Sequence, residues 1–535
     1  MPMLVIMATS ATAQTTGAPG PSPLQQNPQI GATPTRLPPS PTLAPAGNPA
    51  SLPAPSIPAG SPVRIGGMPA PPAAPMASPA PVIPRSGLWV QNVPGGLPAP
   101  SEDPLRIDPA TDPILRLARA QTPLDGFRQA VAQAVRRNPS LAETAAQAEE
   151  AAAARDEAQA RQYPTADLSL STFKIVSRAF SNDPGNVLER SRPDSRTDGL
   201  IRIQQPVVDF GASNSRIAAA EARIKASLAG QDDVSAQIAL RTISVWYNVY
   251  GYRALVRLGE VFADSQRDLR ARIQERVGQG YAAQGDVAQV DSYVAASDAQ
   301  LADFRRALAN AEAQYLGLVG APAPADLGRA PVLDAGPIAA TGLRDDIAVL
   351  PTVRVAAAQA GAARRDADAL RSDRLPQLTA GVDAGRYGVI ENRRDYDVRA
   401  NLTLSMRLGG GAAERVRQAE ARVHGADARL DRILQDAERD ARIALSDIAA
   451  LEQARTAIER NYIASRQSRD VLAERFRVSR GTLFDLLSAE NNYFGVAARY
   501  IQTVTELDTA RYVLLARTGR LLRALQIDPA TMDTP

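Results

Sequence analysis

Arg475-Phe-Arg-Val-Ser-Arg-Gly-Thr-Leu-Phe-Asp-Leu-Leu-Ser-Ala-Glu490 stands between two long helical patterns near the C-terminus. It carries a turn signal, Arg480-Gly481-Thr482, and then an acid, Asp485. About 200 residues earlier, Arg276-Val-Gly-Gln-Gly-Tyr-Ala-Ala-Gln-Gly-Asp-Val287 repeats the arrangement, with Asp286 following Gly280 and Gly285. Two acid-bearing turns, each between helical segments, read as two copies of one hairpin tip.

The elements before each tip recur in the same order. Asn138-Pro-Ser-Leu141 and Leu350-Pro-Thr-Val353 each open an Ala-rich helix. Tyr163-Pro-Thr-Ala-Asp-Leu-Ser169 and Leu375-Pro-Gln-Leu-Thr-Ala-Gly381 each lead into an alternating, strand-like run. Gly211-Ala-Ser-Asn-Ser-Arg216 answers Gly409-Gly-Gly-Ala-Ala-Glu-Arg415, which makes Gly211, Gly409 and Gly410 strand-to-helix junctions. The offset shrinks only across a loop, shorter at 387–395 than at 177–196, where a solvent-exposed hairpin tolerates change. The spacing predicts a mainly α chain with a small β part. Its unit, helix–strand–strand–long helix, is duplicated in tandem over 121–330 and 331–527, before a tail at 528–535. Strands are expected near 166–176, 198–210, 377–387 and 396–408, and tips near 280–286 and 480–486. Helical patterns are also expected over 346–371 and 483–525.

Upstream the chain is different. Met-Pro-Met-Leu-Val-Ile-Met at its start, followed by Ala11-Thr-Ala13, reads as a truncated signal peptide over 1–14, without a basic first region. Residues 15–120 hold 27 of the 42 prolines and no hydrophobic period, which predicts a disordered, Pro/Ala-rich segment. Cysteine is absent, and the single histidine, His424, lies in a polar helical stretch. Disulfides and thiolate metal sites are therefore excluded, and one histidine on a polar helix argues against histidine-based catalysis. The near-neutral charge of +3 gives no reason to expect a nucleic-acid partner.

No run is apolar enough for a transmembrane helix, so any membrane part has to be a β-barrel. Val398, Ala400, Leu402, Leu404, Met406 and Leu408 alternate with Arg399, Asn401, Thr403, Ser405 and Arg407. That pattern fits a membrane strand and equally a half-buried sheet. Four strands cannot close a barrel, whereas three chains supply twelve. From Val416 through Ala419, Val423, Ala426, Leu430 and Ile433 to Ala437, apolar residues step by threes and fours along roughly 65 helical residues, about 100 Å. Ala421, Ala428, Ala441 and Ala444 flank that seam, so the helix can take neighbours on more than one side.

Together with Leu124-Asp-Gly-Phe-Arg-Gln-Ala-Val131 and Gln205-Pro-Val-Val-Asp-Phe-Gly211, these motifs make residues 123–525 similar to the TolC-like outer-membrane channel family. The resemblance implies a homotrimeric α-helical barrel in the periplasm joined to a twelve-stranded β-barrel in the outer membrane. It implies a passive exit duct, needing no cofactor, that works with a periplasmic adaptor and an inner-membrane transporter. Cargo is a polypeptide, in type I secretion, or a small molecule, in efflux; the missing lipid-anchor cysteine favours the former. In the family, acids at the inner tips form a gating ring. Asp485 matches its first acidic position and Asp286 the corresponding tip of the first repeat. The second acidic position is Ser488 here and the gating arginine falls at Gly481, with Arg480 beside it. The glycine that family tips carry early in the turn falls at Ser479, so flexibility there rests on Gly481. A plainer role for the same residues is helix capping, with Thr482 as N-cap and Asp485 in the first turn. Phe476, Phe484 and Leu486 read as residues of the tip core. A periplasmic coiled-coil scaffold, its sheet packed on its own helices, is the alternative to a channel, and no catalytic constellation points to an enzyme.

Overall fold

The computed structural model describes residues 97–98, 100, 104, 107–119, 123–178, 185, 187, 193–333, 342–391 and 395–528. The expected leader, most of the Pro/Ala-rich segment and residues 529–535 lie outside them.

The first repeat runs α2 (Leu124–Arg137), α3 (Pro139–Ala160), β1 (Thr165–Lys174), β2 (Ser195–Val208), α4 (Ala212–Gly278) and α5 (Gln284–Val319), after a short α1 (Pro113–Leu117). The second runs α6 (Leu343–Ala348), α7 (Pro351–Ser372), β3 (Gln377–Arg386), β4 (Tyr396–Ser405), α8 (Ala412–Arg477), α9 (Leu483–Arg517) and α10 (Leu521–Leu525). With 67 and 66 residues, α4 and α8 each extend about 100 Å. Both start at a glycine in the left-handed region, Gly211 at φ 86° and Gly411 at φ 74°. A side chain there would be strained, so the junction glycines have a backbone reason. Gly409 and Gly410 also have positive φ.

Three boundaries depart from expectation. The Pro/Ala-rich stretch gains structure before residue 120: Leu97 is buried, and Asp112 caps α1 by accepting the N–H groups of Ile114 and Leu115. The helix expected over 346–371 divides at Leu350, held extended by Pro351 (ψ 135°), into α6 and α7. The helix expected to reach 525 stops at Arg517, where Gly519 turns the chain with φ 68°.

The strands form one antiparallel sheet in the order β1-β2-β3-β4, and the β2–β3 pair joins the two repeats. Pro206, which has no N–H to donate, sits beside an irregularity in that pair. The register puts Leu168, Ile201, Ala384 and Val398 in one row, and Ala166, Ile203, Val382 and Ala400 in the next. Leu378 and Leu404 continue that apolar face. The other face carries Asp167, Arg202, Asp383 and Arg399 in a row of alternating sign, with Arg202 Nε donating to Asp383 Oδ1 at 3.0 Å. Leu168 is 80% exposed and Leu402 67%, because none of the described helices packs over the apolar face.

Where the helices cross, Phe127 of α2 packs edge-on to Trp246 of α4 and beside Tyr512 of α9. Trp246, Tyr247 and Tyr512 donate to the carbonyls of Gly328, Ala330 and Pro331, pinning the segment between the repeats to the core. Along the α8 seam, Val416 and Ala419 are buried but Ala421 and Ala428 stay exposed. One flank of α8 is therefore bare among the described residues.

Candidate functional site at the paired helix tips

The α4–α5 and α8–α9 tips lie side by side. Leu269 and Ile273 of α4 and Val290 of α5 share one core with Ala473 and Phe476 of α8 and Leu483, Leu486 and Leu487 of α9. The Arg276 guanidinium of one tip stands 5.4 Å from the Phe476 ring of the other. Each long helix ends with the same 6→1 bond: Tyr281 N–H to Arg276 O at one tip, Arg480 N–H to Arg475 O at the other, both 2.8 Å.

That closure requires a left-handed residue, supplied by Gly280 (φ 79°) at the first tip and by Ser479 (φ 60°) at the second. Gly481, expected to give the second tip its freedom, has no positive φ. It is there for space: a Cβ on it would meet Phe476 N at 3.1 Å and Arg475 Cβ at 3.2 Å. Gly285 has nothing near its Cβ position and no positive φ.

Thr482 caps α9, its Oγ1 accepting the Asp485 N–H at 3.1 Å. At the other tip the Asp286 carboxylate accepts the Ala283 N–H at 3.1 Å. Both acids sit in the first turn of a helix, where the macrodipole favours a negative charge. Asp485 and Arg480 are exposed, Asp286 and Ser488 half-buried. Phe484, read from sequence as a packing residue, is 59% exposed and lies outside the tip core that Phe476 and Leu486 share.

Above the tips the helices enclose a polar layer that sequence reading missed. Glu490 of α9 is fully buried, with Oε2 accepting Gln266 Nε2 of α4 at 2.6 Å. Glu490 Oε1 and Gln266 Oε1 have no hydrogen-bond partner among the described residues. On α8, Arg469 donates to Asp470 at 2.6 Å and to the Pro98 carbonyl at 2.9 Å, and lies over the Tyr493 ring. Tyr462 joins Tyr493 (2.8 Å) to the carboxylate of Asp112, which also accepts Arg466 Nη1 at 2.5 Å. The N-terminal segment thus completes this layer. Asp112 and Asp470 offset Arg466 and Arg469, leaving Glu490 as the unbalanced charge. Burial pushes its carboxyl up to about 7, against the pull of Arg469 and the Gln266 hydrogen bond.

Residues 114–321 and 347–520 match the model of the family described as Outer membrane efflux protein. The chain belongs to that family. Among its relatives, the outer membrane efflux protein BepC of Brucella suis is 25% identical over 344 residues, 61% of this chain and 74% of BepC. The fold is shared with the Vibrio cholerae outer membrane protein VceC (TM-score 0.64, 17% identity, 75% of this chain and 96% of VceC). It is shared also with the open-state MtrE outer membrane channel of Neisseria gonorrhoeae (TM-score 0.61, 17% identity, 74% of this chain and 89% of MtrE). As an outer membrane efflux family protein, the chain resides in the outer membrane, with its helical part in the periplasm.

Two outcomes test the geometry around the tips. Ser479→Gly relieves a left-handed side chain and raises stability by about 1 kcal/mol, while Gly481→Ala meets backbone and lowers it, as read by thermal unfolding. Glu490 binds its proton more tightly folded than unfolded, so wild-type stability falls as pH rises from about 4.5 through about 7. Glu490→Gln removes that loss, giving a melting temperature close to wild type at pH 4 and higher at pH 8, by up to about 3 kcal/mol in stability.

Proposed function

We propose that three copies of this chain close into one passive channel, with twelve strands in the outer membrane and a helical tunnel in the periplasm. What carries the proposal is an asymmetry between the repeats. Helix α7 is seated between the two long helices α4 and α8, whereas its counterpart α3 packs along only one long helix, α4, among the described residues. Arg216 and Arg223 of α4 hold Asp373 and Asp366 of the α7 segment, both at 2.5 Å. The run Arg216-Ile-Ala-Ala-Ala-Glu-Ala-Arg-Ile224 returns on α8 as Arg415-Val-Arg-Gln-Ala-Glu-Ala-Arg-Val423, exposed at Arg415 and Arg422, the counterparts of Arg216 and Arg223. The bare flank of α8 has the shape of a seat for α3 of the next copy, and the free edges of β1 and β4 meet in the same step.

The apolar row across all four strands then faces lipid and the charged row a wet lumen, which favours a channel over a scaffold whose sheet packs on its own helices. At the periplasmic end the trimer repeats the Asp485 and Asp286 carboxylates around the axis, with Arg480 and Ser488 beside them, as a cation-binding gate. The duct takes no cofactor and performs no catalysis. An inner-membrane transporter drives export through it by way of a periplasmic adaptor. The efflux names of its relatives favour small-molecule cargo, with type I protein secretion as the second reading.

Asp485→Ala in planar lipid bilayers weakens block by divalent cations about ten-fold, because a ring of three carboxylates is lost. Unchanged block removes Asp485 from the gate.

A further inference from the structure

We propose that the sheet-to-helix junction holds a phosphate-class anion, presented in the membrane by the headgroup of an anionic phospholipid. A cleft of about 630 Å³ opens there, between the end of β4, the C-terminal end of α7 and the first turn of α8. Arg216, Arg374, Arg407 and Arg415 line it, against a single acid, Asp373. Arg216 is engaged with Asp373 at 2.5 Å. The other three guanidinium groups form no ion pair among the described residues, so the cleft carries uncompensated positive charge.

The duplication explains why no acid of the protein supplies the balance. Asp373 is the residue that caps the C-terminus of α7, and it neutralises Arg216. The residue capping the C-terminus of α3 is Arg161. In the closed trimer proposed above, on which this step rests, Arg415 therefore meets Arg161 of a neighbouring copy, a like charge, where Arg216 meets an acid. Planar guanidinium groups bind phosphate oxygens in pairs. The lining also fits a lipid: Leu375 and Met406 are exposed at its rim, and Met406 continues the apolar alternation of β4. A basic cleft with an apolar rim at the end of a membrane sheet matches a headgroup with its acyl chains alongside.

The test uses the full chain in neutral detergent, titrated with short-chain phosphatidylglycerol, short-chain phosphatidylcholine or inorganic phosphate, and read as a shift in melting temperature. Phosphatidylglycerol raises it saturably and phosphatidylcholine does not. The Arg374→Gln/Arg407→Gln variant weakens the apparent affinity at least ten-fold, and Arg374→Lys/Arg407→Lys, which keeps the charge, recovers part of it. An equal response to inorganic phosphate at matched concentration overturns the lipid as its source. An equal response in wild type and the glutamine variant, or none to any probe, overturns the site. The native mass of each sample is taken alongside. All four arginines belong to one chain, so a monomer that still binds phosphatidylglycerol contradicts the assembly and leaves this site standing.

Discussion

Among the described residues, the outer edges of β1 and β4 pair with no other strand and carry open backbone N–H and C=O groups. In lipid each unpaired group costs several kcal/mol, which is why a membrane sheet has to close. The apolar row from Leu168 to Val398 is exposed in the chain, so the sheet has both an open edge and an uncovered face. In the proposed trimer, pairing β4 of one copy with β1 of the next satisfies the edges, and lipid covers the apolar face. The remaining architecture follows from that constraint, because the helices continue from the strands and have to ring the same axis.

Duplication makes the ring economical to encode. One unit, used twice, supplies the in-chain contact of α4 with α7 and the template for the contact of α8 with α3 of a neighbour. Divergence between the copies is where specific chemistry enters. Asp373 became Arg161 at the junction, and the left-handed glycine of the first tip became Ser479 at the second. The tips are stitched together by the Leu486 and Phe476 core, with the Glu490 layer above it and Pro98 and Asp112 bound into that layer. Movement of one hairpin against another therefore has to disturb a buried carboxylate whose protonation changes near neutral pH.

Periodicity made the helices, the strands and the duplication legible in the sequence, since each is a local pattern: alternation in 398–408, three-and-four steps along α8, prolines at 139 and 351. The tip acids were legible because turn and acid are adjacent. Backbone choice within the turn was not: Gly481 looked like the flexible residue, but the 6→1 bond puts the left-handed conformation on Ser479. The buried layer was invisible for a different reason. Asp112, Gln266, Arg469 and Glu490 are scattered along the chain and each reads alone as a surface charge or amide, although Glu490 closes the very stretch that revealed the tip. Likewise Arg374, Arg407 and Arg415 become a cluster only when the sheet and two helices meet.

The central claim is a closed ring of three, and the absence of cysteine in the chain makes it directly measurable. Asp366 on α7 meets Arg223 on α4 within the chain, and their counterparts are Ala154 on α3 and Arg422 on α8. With cysteines at Ala154 and Arg422, a short thiol-reactive cross-linker applied to outer-membrane preparations should give species of one, two and three chains and none larger. A ladder running beyond three, or a single monomer band, would contradict the account.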